Sequence, residues 1–324
     1  MKKFIGCMML LGICLISGCS GKKDNQVVFY LSSEDFRIEH FQNRVNEQFP
    51  DYQVIFNYLP TGNLAAKLAA EGAKTECDII GELDAAYLEG LLDNLADLSS
   101  YDDSVFLDSL VPAHHKYLPM TKSSGCIFYS EEFLKARNLP VPASYDDLLK
   151  PEYKGLISMP NPKSSSTGFF FLRNLINTRG EDAAFAYFDK LSENILQFTS
   201  SGSGPVNALV QGEAGIGLGM TFQVVTTINQ GVPLNILFFE EGSPYSVYGL
   251  AMIKGKETRK AVRDVFEFFM TTVVYEDKDL FMPEQIFKVQ PNTIPNYPQN
   301  VLAADMTGIE NLAEKQRILE KWKY

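Results

Sequence analysis

Histidine and tryptophan are nearly missing from this chain. Its 324 residues hold three histidines, His40, His114 and His115, and one tryptophan, Trp322. His114 and His115 are neighbours, which point apart in extended backbone, and no third imidazole lies near them, so a metal centre is not expected. No His-Glu-x-x-His or Cys-x-x-Cys spacing occurs, and Gly202-Ser203-Gly204 lacks the residues that flank a nucleophilic serine. The chain is therefore not expected to be an enzyme or to carry a cofactor. Basic clusters are missing too. With 29 Lys and Arg against 40 Asp and Glu, the formal charge is -11, which disfavours nucleic acid and anionic lipid surfaces as partners. There is no repeat at solenoid period and no low-complexity tract. After residue 19 no stretch is long and apolar enough to span a bilayer, which takes about 20 residues.

What is present begins at the N-terminus. Lys2 and Lys3 precede an apolar run, Phe4 to Ile16, and the small pair Ser17-Gly18 leads into Cys19. That order is a secretory signal, and its apolar run is too short for an anchor. Ile16-Ser17-Gly18-Cys19 also resembles the lipobox of bacterial lipoproteins, which implies cleavage before Cys19 and its acylation. Residues 1–18 are then a signal peptide and 19–26 a lipidated polar tether. Each buried acyl methylene contributes roughly 0.8 kcal/mol, so two or more chains would hold the protein to a membrane. Losing Lys2 and Lys3 takes the formal charge from -11 to about -13. Of five cysteines, Cys7 and Cys14 leave with the signal. Cys77 and Cys126 sit in apolar runs and are expected to be buried small residues, with a disulfide between them the alternative.

The remaining length exceeds one typical core and favours two lobes. Val27–Leu31, Tyr52–Phe56 and Cys77–Gly81 read as strands; Ser33–Phe49, Asn63–Glu71 and Leu83–Leu92 read as helices. Further strands are expected at 126–129, 156–159, 216–218, 234–239 and 248–253. Helices are expected at 131–137, 168–178 and 181–191, with another carrying Val262, Val265, Phe266 and Phe269. Alternating strands and helices predict mixed sheets flanked by helices, with functional loops at the carboxyl ends of strands. Polar loops do precede several helices: Ser32-Ser33, Thr61-Gly62, Ser164 to Gly168, and Ser200 to Pro205. Helix starts present unpaired N–H groups and a partial positive charge, and Ser or Thr adds hydroxyl donors. Each could also be an ordinary N-cap worth ~1 kcal/mol.

Three stretches carry a family resemblance: Leu59-Pro60-Thr61-Gly62-Asn63-Leu64 through Cys77-Asp78-Ile79-Ile80, Pro151 to Gly155 followed by Ser165 to Gly168, and Gly212 to Leu218 with Glu240-Glu241-Gly242. In order and spacing these resemble the extracellular solute-binding proteins of ABC importers, in the branch handling ferric iron, thiamine, phosphonates and sugar phosphates. The resemblance implies a type II two-lobed α/β clamp joined by two hinge strands, with crossings near Cys126–Tyr129 and Tyr248–Ile253. Lobe 1 would be 27–124 with 249–290, and lobe 2 would be 125–248 with 291–324. It implies capture of a small anionic organic solute, delivery to permease subunits served by a cytoplasmic ATPase, and tethering at the outer face of the cytoplasmic membrane. Carried over by position, Ser33, Thr61, Gly62, Ser165, Ser166, Thr167, Gly168, Ser201 and Ser203 would surround a phosphoryl group. Asp84, Thr221, Phe222, Glu240 and Tyr245 would face the remainder. Iron-binding members have adjacent tyrosines where this chain has Thr221-Phe222, so bare iron is disfavoured. Thiamine, ferric iron and presentation of a ligand to a sensor kinase remain the alternatives.

Overall fold

The computed structural model describes residues 24–324. The signal segment and Cys19 lie outside the described residues. Nine strands form one mixed sheet: β1 Gln26–Leu31, β2 Gln53–Tyr58, β3 Ile79–Asp84, β4 Leu118–Ser130, β5 Ile157–Pro160, β6 Ile195–Thr199, β7 Ile216–Met220, β8 Leu234–Leu237 and β9 Tyr245–Met252. Their order is β2-β1-β3-β9-β4-β7-β5-β6, with β8 paired to β4.

The first lobe is built on β2, β1 and β3, which run parallel, and on antiparallel β9. Every residue from Val27 to Leu31 is buried because both faces of β1 are covered, as expected for a parallel strand. Val27, Phe29 and Leu31 pack with Phe41 and Val45 of the helix Asp35–Gln48 and with Val262, Val265 and Phe266 of the helix Lys260–Phe268. Val28 and Tyr30 point the other way, onto Leu64 and Leu68 of the helix Thr61–Glu71. The second lobe holds β5 to β8 around the helices Ser166–Arg179 and Glu181–Leu191. A C-terminal helix, Leu312–Lys321, closes this core through Ile318, and Trp322 just beyond it packs its ring against Phe188 and Phe198. Cys77 and Cys126 are buried in separate apolar clusters, one per lobe, and act as small apolar residues.

Strand β4 joins the lobes. Its first half, Leu118–Ser124, pairs with β9; its second half, Gly125–Ser130, pairs with β7 and β8. The crossing thus lies at Leu118–Ser124 rather than at Cys126–Tyr129, which is already inside the second lobe. Polar Lys122, Ser123 and Ser124 hide this half from a reading based on apolar runs. Likewise β9 begins at Tyr245, earlier than Tyr248, and β3 continues to Asp84, leaving only Ala85–Glu89 for the helix expected from Leu83. Strand β6 and the C-terminal helix are additions the sequence patterns did not mark.

Candidate functional site

Carboxyl ends of strands from both lobes converge. β1 leads to Ser33, β2 to Thr61-Gly62 and β3 ends at Asp84; β5 leads to Ser165-Ser166-Thr167, β6 to Ser201 and Ser203, and β7 to Thr221. Ligands of open α/β sheets bind in the crevice outside such strand ends. The two lobes meet there. A Cβ built on Gly62 would lie 4.0 Å from the Lys163 carbonyl oxygen of the second lobe and 4.0 Å from the Tyr87 hydroxyl of the first.

Three hydroxyls in this crevice stand out. Ser33 (0 % exposed), Thr61 (8 %) and Ser166 (6 %) are buried, and their side-chain oxygens make no hydrogen bond among the described residues. A buried hydroxyl left without a partner costs about 1–3 kcal/mol, so each is a donor and acceptor awaiting one. Thr61 and Ser166 open the helices Thr61–Glu71 and Ser166–Arg179, whose first N–H groups add positive potential. Ser165 is buried just before the second of these helices. Ser201 and Ser203 hydroxyls lie 3.2 Å from each other. Two glycines are fixed by close packing. A Cβ on Gly202 would sit 2.4 Å from Thr167 Oγ1, and one on Gly168 would sit 2.4 Å from the Pro160 carbonyl oxygen. Gly168 thus seats its helix against β5.

Other expected residues have different surroundings. Asp84 is no open carboxylate: it caps Ala86 N–H at 3.1 Å, accepts from Ser246 at 3.0 Å and pairs with Lys315 at 3.1 Å. The hydroxyls of Thr221 and Ser124 lie 3.0 Å apart in a hydrogen bond. Phe222 requires correction, since it is 2 % exposed and packed with Val225, Met282 and Tyr297 in an apolar cluster rather than facing a solute. Glu240 requires correction as well. It points into solvent, whereas Glu241 turns inward to Arg179 at 2.7 Å, because the turn at Gly242 places only one of the two adjacent carboxylates inside. Tyr245 is half-buried, with the Lys122 ammonium 4.2 Å from the centre of its ring.

A charged network behind the crevice was missed entirely by sequence reasoning. Buried Arg37 contacts Asp277 at 2.8 Å, Glu82 at 2.9 Å and Glu34 at 3.1 Å, and Lys278 contacts Asp277 at 3.1 Å. Burial acts to raise the Asp277 carboxyl, but Arg37 and Lys278 beside it hold it below the usual carboxylate range. Burial lowers Lys278 and, against the pull of Arg37, raises Glu34. Tyr87 is pushed up to about 12 by burial, with Asp84 adding to it, so its hydroxyl near Gly62 stays a donor. Burial and then Asp84 and Glu82 raise Tyr248, which lies beside Ser166. Lys315, carried by the C-terminal helix, spans the lobes: it pairs with Asp84 and lies 4.3 Å from the Tyr87 ring centre and 4.9 Å from that of Phe169. Arg37, Lys278 and Lys315 are all engaged by carboxylates, so an anion entering here meets hydroxyls and N–H groups. The cue available in sequence was weak: Arg37 and Lys315 sit within otherwise ordinary amphipathic helices.

Two lobes on a paired hinge, with a hydroxyl-lined crevice between them, define a clamp that closes on a small solute. Residues 84–305 match the model of the bacterial extracellular solute-binding protein family, and the chain belongs to it as a type II periplasmic-type solute-binding protein of ABC importers. It is an exported transport protein rather than an enzyme. The chain is 28% identical over 250 residues to an uncharacterized protein of Haemophilus influenzae, covering 74% of this chain and 71% of that one. It is 26% identical over 127 residues to the phosphoglycerate transport regulatory protein PgtC of Salmonella typhimurium, covering 36% of this chain and 32% of that one. The fold matches that of AfuA from Actinobacillus pleuropneumoniae, solved with exogenous fructose-6-phosphate bound, at a TM-score of 0.78 and 22% identity over 92% of this chain and 97% of that one.

Proposed function

We propose that this protein captures a small organic phosphate or phosphonate in the inter-lobe crevice and hands it to a membrane permease powered by a cytoplasmic ATPase. The observation that carries this reading is the set of three buried, partnerless hydroxyls, Ser33 and Thr61 from one lobe and Ser166 from the other. Phosphoryl oxygens accept from hydroxyls and helix-start N–H groups without a counter-cation. Ser165, Thr167, Ser201 and Ser203 extend this set of donors around the same strand ends. The fructose-6-phosphate in AfuA and the phosphoglycerate in the name of PgtC agree in ligand class. Lobe 1 is taken as 27–124 with 249–290 and lobe 2 as 125–248 with 291–324. A ligand touching both favours the closed state by its extra contacts there. Acylation of Cys19 would keep the clamp at the outer face of the cytoplasmic membrane, close to its permease.

The test is thermal unfolding of the full-length chain against organic phosphates, phosphonates, inorganic phosphate, thiamine species and ferric salts. A ligand at 100 times its dissociation constant adds about 2.7 kcal/mol. Stabilisation by an organic phosphate or phosphonate, lost in Ser166→Ala, is the expected result; stabilisation by thiamine or ferric salts alone overturns it. The regulatory role in the name of PgtC supports a second reading, in which the loaded clamp is presented to a sensor kinase. Uptake of labelled solute in cells lacking the protein separates the two.

A further inference from the structure

A second polar pocket lies at the hinge. Directly opposed residues of paired strands share a face, so Thr121 with Tyr248 and Ser123 with Ser246 occupy one face of the β4–β9 ribbon, and Lys122 with Val247 and Ser124 with Tyr245 the other. The first face carries Ser246, which donates to Asp84, and Tyr248, which lies beside Ser166. The second opens on a pocket of about 370 Å³, walled by Lys122, Ser124, Tyr245, Thr221, Glu284 and Tyr297. That volume is within the range of small-molecule sites, ~300–1,000 Å³.

Its charges are unmatched. The Lys122 ammonium lies over the Tyr245 ring, and among the described residues no carboxylate pairs with it. Glu284 is fixed through one oxygen, Oε1, which accepts from the hydroxyls of Ser124 and Tyr297. Its Oε2 takes no hydrogen bond among the described residues, and no ion pair joins it to Lys122. A half-buried cation and a half-buried carboxylate sharing one pocket, each held in place by neutral groups, are poorly served by a neutral guest. We propose that this pocket binds a small zwitterion, its ammonium on Glu284 Oε2 and its acidic group on Lys122. The pocket shares Thr221 with the strand ends around the crevice, but its walls include none of the three partnerless hydroxyls. Since hinge strands, the first-lobe residue Glu284 and the second-lobe residue Thr221 all wall it, occupancy touches the elements that clamp closure moves.

Isothermal titration of the full-length chain with β-alanine and γ-aminobutyrate tests this, with butyrate and butylamine as single-charge controls. The zwitterions are expected to bind saturably and the controls at least about tenfold more weakly. Glu284→Gln keeps the acceptor for Ser124 and Tyr297, so the wall is retained; it and Lys122→Met should each weaken zwitterion binding about tenfold or more, while Ser33→Ala leaves it unchanged. No saturable binding, equal binding of the controls, insensitivity to both pocket variants, or equal loss in Ser33→Ala would each overturn the assignment. Organic phosphate binding that depends on Ser33 is measured separately, so failure of either site is read independently of the other.

Discussion

The crevice is backed and lined by opposite chemistries. Behind it the first lobe holds a buried ionic network of Arg37, Glu82, Asp277 and Lys278, already matched within itself. Lining it are hydroxyls and helix starts from both lobes, of which Ser33, Thr61 and Ser166 are left without a partner. Matched charges stiffen a wall. Hydroxyls left unsatisfied cost free energy that a bound solute would recover by bonding them. On that reading stability and solute binding rest on different groups, and substitutions of the two kinds should have opposite signatures.

The largest effect is expected from Arg37→Met. Removing one member of a buried charge set strands Glu82 and Asp277 and costs about 3–5 kcal/mol, read by denaturant unfolding. Lys315→Met leaves Asp84 buried with one cation fewer. It should cost about 3 kcal/mol and widen the lobe-to-lobe distance distribution in a spin-label measurement; unchanged distances would show that the Asp84–Lys315 pair does not hold the lobes together. Gly125→Ala would drive a Cβ to 2.5 Å from the Phe170 ring and 2.8 Å from that of Phe171. Overpacking of that kind costs about 1–3 kcal/mol, seen as a lower melting temperature. Ser166→Ala sits at the other pole of the comparison. It removes an unsatisfied group, so unfolding stability should hold or rise, while solute binding weakens by about 1 kcal/mol or more. A stability loss as large as that of Arg37→Met would erase the distinction between the charged backing and the hydroxyl lining.

The smallest effect concerns pH. Hydrogen bonds from Arg317 and Lys321 of the C-terminal helix lower the Glu181 carboxyl to about 2. Because its folded value lies below its unfolded one of ~4.3, the contribution is present above that value and is lost as pH falls toward 2. The pair is solvent-accessible, so its worth is under about 1 kcal/mol. The melting difference between the native chain and Glu181→Gln should shrink across that window.

Local patterns in the chain marked most of the elements that build the cores. Val27–Leu31 is apolar at every position because both faces of its strand are covered, and the spacing of Val262, Val265, Phe266 and Phe269 fits one face of a helix. Patterns failed where burial and polarity part company. Lys122-Ser123-Ser124 is strand despite its polarity, because it crosses between lobes paired through its backbone to β9. Phe222 and Glu240 were placed toward the solute by position alone. Backbone direction at the start of one helix and at one turn instead sends the first into an apolar cluster and the second into water.

The sequence by itself determined the alternation of strand and helix and the Ser- and Thr-rich loops at strand ends, since these depend on short-range periodicity and turn chemistry; its length and family resemblance pointed to two lobes. Only the tertiary structure decided that Arg37 would meet Asp277 240 positions away, that Lys315 would cross to Asp84, and that three hydroxyls of one crevice would be buried with nothing to bond. A charge or hydroxyl becomes costly or useful only when solvent is removed from it, and no local stretch of sequence records which groups the fold will bring together as it expels that water.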